Sequence, residues 1–335
     1  MQGETKYGFT FFNDFKISSL HMLNRRHIRI KVMQSLFAFS GTESDDFKKD
    51  ERFLFLSIEK MSDLYVSILA LMIELQKKAN SKLALSQKKM LATGADINPN
   101  RKFADNAVLN FISNNSMLKD IIEKRKLNFW DLDFEYVDII YKAILESDIY
   151  KEYMSKGPSD LKEDKDFIID IYSEIIAPNE KLSDYLEDKQ ITWVDDFPVV
   201  NTAIVKVLTK LKLSKPETFL IPDLYKDEDD KTFAKDLLNK TLLNQTKFTK
   251  EIADKTTNWD ADRLASLDGV LLQMALCEFQ KFPSIPVKVT INEYLEVAKE
   301  YSTPKSSVFI NGILDKIVKE YKQNNIHNKT GRGLM

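Results

Sequence analysis

The chain has 335 residues, 43% hydrophobic and 30% charged, and its 49 Lys plus Arg against 51 Asp plus Glu leave a net charge of −2. That balance describes an ordinary globular chain of one to three domains and excludes a polycation, so any nucleic-acid site must be a local basic patch. One cysteine (Cys277) and three scattered histidines (His21, His27, His327) exclude an intramolecular disulfide and a thiolate metal cage, and give no pattern for a metal site.

No apolar run reaches the roughly 18 residues of a membrane-spanning helix. Residues 1–21 carry Asp14 and Lys16 among phenylalanines and do not form a signal-peptide core, so a cytoplasmic protein is expected. Met22 is a candidate start, which would make residues 1–21 a flexible N-terminal extension. Only nine glycines and nine prolines punctuate the chain, strand-like alternation is scarce, and long apolar runs follow helical spacing, so the fold class is all-α.

In chain order, a first helix is expected from Asn24 to Phe39, with Ile30, Met33 and Phe37 as its apolar stripe. Its N-terminal end carries the cluster Arg25, Arg26, His27, Arg29 and Lys31. Gly41–Glu51 reads as an acidic loop, Phe53–Ala79 as a long helix, and Thr93–Arg101 as a loop. Further helices are expected over Asp105–Lys126, Asp133–Tyr153, Lys165–Ile176 and Val199–Lys212.

A shift of 66 residues without a gap places Phe167 on Phe233, Asp170 on Asp236, Lys181 on Lys247, Trp193 on Trp259 and Asp196 on Asp262. All three tryptophans sit in a W-x-x-D pattern: Trp130–Asp133, Trp193–Asp196 and Trp259–Asp262. Two readings remain open. One is a degenerate repeat over 165–212; the other is chance recurrence of an Asp-capped helix in an Asp- and Lys-rich chain.

The last fifth is more specific. Asp262 is expected to cap a core helix carrying Leu264, Leu267, Val270, Leu271, Met274 and a buried Cys277, ending before Pro283. Pro286–Val289 reads as extended, and Thr290-x-x-Glu293 as a capping box opening the next helix. After the turn Ser302–Lys305, Ser306 is expected to cap a last helix with Ile310, Ile313, Leu314, Ile317 and Tyr321 inside. Gly312 in that helix costs about 1 kcal/mol against Ala, which suggests close approach of a neighbouring backbone.

Two stretches, RRHIRIKVMQSLFAF (Arg25–Phe39) and Trp259–Val318 with its P-V-K-V-x-I-N-E and F-I-N-G-x-L-D-K strings, resemble the NusB family of bacterial transcription antitermination factors. Together they cover about 75 of the 335 residues. The resemblance implies two three-helix bundles, and binding of boxA RNA from ribosomal leader transcripts together with the ribosomal protein NusE, RNA polymerase and other Nus factors. It implies an RNA face of Arg25, Arg26, His27, Arg29 and Lys31 with Gln34 following, and a second part of that face at Lys305, Ser306 and Phe309, the ring stacking on a base. NusE would lie along the helix bearing Asp268 and near Phe37. Family members are typically much shorter. The expected organisation is therefore an extension over 1–21, the Arg-rich helix in 22–40, an inserted or diverged block over 41–257, the family-like unit in 258–321 and a polar tail over 322–335.

No enzyme motif competes with this. There is no Gly-rich phosphate loop, G-x-S-x-G elbow or H-E-x-x-H helix, and no cofactor is implied. NusB-like domains also occur fused to ribosomal RNA cytosine methyltransferases, but this chain has no strand–glycine–helix unit and its one cysteine falls on a core helix. The alternative is a protein–protein adaptor of the transcription or ribosome-assembly machinery that has lost RNA recognition.

Overall fold

A computed structural model describes residues 20–39, 47–90, 93–256, 267–324 and 329. Among them the structure is all-α, and the single β feature is one parallel bridge between His21 and Asp223. The helices are α1 (Arg25–Phe39), α2 (Phe47–Gln87), α3 (Gly94–Ile97), α4 (Ala107–Ser113), α5 (Ser116–Arg125), α6 (Phe134–Glu146), α7 (Asp148–Ser155) and α8 (Leu161–Ile171). They continue as α9 (Glu180–Lys189), α10 (Phe197–Lys210), α11 (Glu228–Leu243), α12 (Gln245–Ala253), α13 (Leu267–Lys281), α14 (Val287–Tyr301) and α15 (Ser306–Gln323). None of the described helices is long and apolar enough to cross a membrane.

Among the described residues there are two hydrophobic cores, and α2 runs through both. Its 41 residues contain neither glycine nor proline, so nothing interrupts a helix of about 60 Å. Every residue from Met61 to Ile73 is buried, the mark of a helix packed on all sides. Leu54, Ile58 and Met61 join the core formed with α1 and α11–α15, while Leu64–Ala79 join the core formed with α4–α10. Two tryptophans fasten the second core to α2: Trp193 Nε1 donates to Lys60 O at 2.7 Å and Trp130 Nε1 to Ser67 O at 2.9 Å. The acceptors lie seven residues apart, two turns along one side of α2.

Several helix boundaries differ from expectation for identifiable reasons. α2 begins at Phe47, inside the stretch read as an acidic loop. The stretch Thr93–Arg101 contains α3, because Thr93 and Asp96 complete a reciprocal capping box. The helix expected over Asp105–Lys126 breaks at Asn114–Asn115, where the Asn115 side chain accepts from Leu118 N and starts α5. The one expected over Asp133–Tyr153 breaks at Ser147, whose Oγ accepts from Tyr150 N and starts α7. Asp133 and Asp196 stand at N-cap positions but make no side-chain cap bond. Their carboxylates go elsewhere: Asp133 to Tyr185 and Lys189, Asp196 to Lys31. Asp262 and Trp259 lie outside the described residues. At the 66-residue shift, α8, α9 and α10 fall on α11, α12 and α13, and Phe167 and Phe233 are buried one in each core.

Candidate nucleic-acid interface

α1 starts where the Asn24 side chain accepts from the backbone N–H of Arg26 (2.9 Å) and His27 (3.0 Å). The helix then enters the core so completely that Ile28 through Met33 are all buried. Burial divides the basic cluster into two shells. Arg25 and Arg26 stay at the surface; Arg29 and Lys31 go inside.

Arg25 Nε donates to Asp230 Oδ1 on α11 at 2.8 Å, and its side chain remains 44% exposed. Arg26 makes a two-pronged pair with Glu293 on α14, both bonds 2.9 Å. This lifts the Arg26 pKa and holds the Glu293 carboxyl below its ordinary range, chiefly through the hydrogen bonds between them. His27 is half-buried, and that burial, reinforced by the Arg26 and Lys206 charges, pushes its pKa down to about 4. It is a neutral ring at neutral pH.

Arg29 lies within a closed polar network. Its Nε and second terminal nitrogen donate to the two Glu278 oxygens at 2.7 and 2.9 Å, with the side chains 3% and 0% exposed. Glu278 also accepts from Thr290 Oγ1 (3.0 Å) and Tyr294 OH (2.8 Å), so both its oxygens are doubly bonded to donors. Burial works against the guanidinium charge, but the Glu278 hydrogen bonds and charge outweigh it and the Arg29 pKa is raised. Phe233 and Tyr294 rings flank the guanidinium at 5.2 and 5.8 Å. Lys31 Nζ sits 2.6 Å from Asp196 Oδ1, both side chains buried, and Gln34 Nε2 donates to Asp195 at 2.6 Å. Burial pushes Asp196 up to about 6 even against the pull of Lys31.

The C-terminal turn departs from its expected geometry. α14 already begins at Val287, so Pro286–Val289 is not an extended segment. No capping box forms there, because Thr290 is committed to Glu278 and Glu293 to Arg26. Ser306 is the first residue of α15 and does not cap it. Its Oγ donates to Asp268 Oδ2 at 2.8 Å, and Ser302 Oγ donates to Asp268 Oδ1 at 2.6 Å. Asp268 is thus a buried clasp between α13 and the turn, turned away from any partner surface. Phe309 is 3% exposed and packs in the core, which withholds its ring from a base in this conformation. Lys305 stays exposed on the turn, and Phe37 is 49% exposed near the end of α1.

The accessible members of the expected interface are therefore Arg25, Arg26, His27, Gln34, Lys305 and Phe37, while Arg29, Lys31, Ser306, Phe309 and Asp268 are interior. A cavity of about 380 Å³ between α1, α10 and α14 is lined at one side by Arg26 and His27 and at another by Glu300 and Tyr301, just before the Ser302–Lys305 turn. It adds Asp195, Asp196 and Lys206, which no local motif marks as neighbours of α1. Among the described residues no cluster of side chains could hold a metal ion.

Comparison with known proteins places the architecture. The NusB family model matches residues 202–319, from within α10 to within α15. The transcription antitermination protein NusB of Salinibacter ruber is 41% identical over 111 residues, which is 32% of this chain and 69% of that relative. The chain belongs to the NusB family. The NusB proteins of Chloroherpeton thalassium and Geotalea daltonii are 39% identical over 127 residues and 44% identical over 86 residues. These stretches cover 38% and 26% of the chain and 60% and 59% of the two relatives. No solved structure matches significantly. The NusB match begins well upstream of Trp259, and so takes in α11 and α12, which share the core of α1 and α13–α15.

Proposed function

We propose that this protein is a cytoplasmic transcription antitermination factor that binds boxA-type ribosomal leader RNA together with NusE and RNA polymerase. The observation that carries this reading is the arrangement of Arg25 and Arg26. Both guanidinium groups lie at the surface, each tethered to a helix of the NusB-matched unit, Arg25 to α11 and Arg26 to α14. Two cations at one helix start, with Lys206 and Lys305 also exposed, suit the phosphates of a single strand better than a duplex groove. The helices α4–α10 carry the second core on this reading, and Phe37 offers an apolar contact to NusE.

The adaptor reading has one observation in its favour: Asp230 and Glu293 already engage the two surface arginines, and RNA phosphates must displace them. Fluorescence anisotropy of labelled boxA RNA, with and without NusE and at two salt concentrations, separates the readings. Tighter binding with NusE, preference over a scrambled RNA and a clear salt slope are expected. Retention of NusE with no RNA binding in any condition makes the protein an adaptor.

A further inference from the structure

The cavity between α1, α10 and α14 has a composition that selects a ligand. Its volume, about 380 Å³, lies within the range of small-molecule sites, roughly 300–1,000 Å³. Tyr301 and Pro198 give it surfaces that can cover a flat ring. Lys206, exposed on α10, makes no ion pair among the described residues and is available to a phosphate. The remaining charged lining pairs Arg26 and Lys31, already committed to Glu293 and Asp196, with the Asp195, Asp196 and Glu300 carboxylates, and Asp195 gives one oxygen to Gln34. Asp196 gives Oδ1 to Lys31, and among the described residues its buried Oδ2 has no hydrogen-bond partner. A buried carboxylate oxygen without a donor is costly, and a ligand N–H close to it would relieve that cost.

A planar ring, an amino edge and an adjacent phosphate together describe a nucleotide bearing an exocyclic amine. We propose that this cavity receives one unstacked adenine, cytosine or guanine of a single-stranded RNA, with Lys206 on its phosphate and the Asp195–Asp196 side of the cavity on its amino group. Uracil, which presents a carbonyl where cytosine presents an amine, meets like-signed acceptors and is disfavoured. The inference rests on the RNA-binding reading above and goes beyond it: the α10 residues join a strand first engaged by Arg26 on α1, so that the second core contributes to recognition.

The test is anisotropy with the labelled RNA used above and a set of its variants, each carrying one abasic nucleotide. The wild-type protein is compared with Thr202→Phe, which fills the cavity from an exposed position on α10, and with Lys206→Glu. One abasic position is expected to weaken wild-type binding by roughly 5- to 150-fold, the range of one base–aromatic stack. Thr202→Phe is expected to lose a similar factor on intact RNA and to become indifferent to that abasic site. Uracil at the same position should cost the wild type several-fold, and Lys206→Glu should weaken binding with circular dichroism unchanged. If RNA binds but no abasic site produces a loss that Thr202→Phe erases, the pocket assignment falls and the RNA-binding reading stands. If no RNA binds at all, both fall.

Discussion

Arg29 and Glu278 lie 249 residues apart and form a two-pronged ion pair with both side chains almost entirely out of water. Removing one partner leaves an unpaired charge in the core, at a cost of about 3–5 kcal/mol. Arg29→Met is expected to lower the unfolding free energy by that amount in urea titration, and Glu278→Gln at least as much, since it leaves the Arg29 charge unpaired and its one amide oxygen can replace only one of the two acceptors that Thr290 and Tyr294 use. A change below about 1 kcal/mol for Arg29→Met would show that the pair is not formed. RNA affinity of the folded Arg29→Met fraction should match wild type, because the guanidinium is enclosed.

Arg25 and Arg26 face acidic partners, so a charge reversal there would set like charges against Asp230 and Glu293. Neutral substitution is the cleaner experiment. Arg25→Gln with Arg26→Gln should reduce the salt slope of single-stranded RNA binding by about 1.4. Partly exposed pairs contribute about 0–1 kcal/mol each, so stability should fall by no more than about 2 kcal/mol. An unchanged slope means that these arginines do not meet phosphates.

His27 has a folded-state pKa of about 4 against an ordinary 6.5, lowered by burial and by the nearby Arg26 and Lys206 and only partly offset by Glu293. The unfolded chain therefore takes up the proton first as pH falls. The His27 contribution to stability is complete above pH 6.5 and is lost as pH drops toward 4. A His27→Gln variant should show a shallower loss of stability across that window. NMR titration of the ring should give a midpoint near 4, and RNA affinity should show no His27-dependent step near pH 6.5; a midpoint near 6.5 would place the ring in solvent.

Gly312 lies in the middle of α15, and a Cβ added there meets nothing within 4 Å. The close helix approach expected from the sequence is absent, and the glycine is a plain loss of helix propensity. Gly312→Ala should raise stability by about 1 kcal/mol in thermal or urea unfolding. Destabilisation would mean that the position is covered after all.

Much of the architecture was legible locally. α1 and α13 fall where apolar spacing and Pro283 put them, and the all-α class follows from the scarcity of glycine and proline between long apolar runs. The caps that did not form share a cause. Thr290, Glu293, Ser306, Asp133 and Asp196 each carry a good local capping signal, yet each spends its side chain on a distant partner. A capping bond is worth about 1 kcal/mol, and satisfying a buried carboxylate is worth more. Conversely, Thr93–Asp96 made its cap inside a stretch read as loop, because Asp96 gives Lys89 one carboxylate oxygen, Oδ1, and keeps the other, Oδ2, for Thr93.

Helical periodicity, the basic cluster on α1 and the family strings near the C-terminus are short-range properties, and the order of residues was enough to establish them. Which cations remain at the surface is a long-range property. Arg25 and Arg29 share one face at a spacing of four, but the first meets the rim of α11 and the second meets Glu278 inside the core. Likewise Lys31 and Gln34 find Asp196 and Asp195 about 160 residues away only because Trp193 docks its segment on α2 and brings the Asp195–Asp196 turn against α1. Solvent access depends on every neighbour at once, so the division of the basic cluster into a surface pair and a buried pair, and the cavity beside it, arise only when the two cores pack.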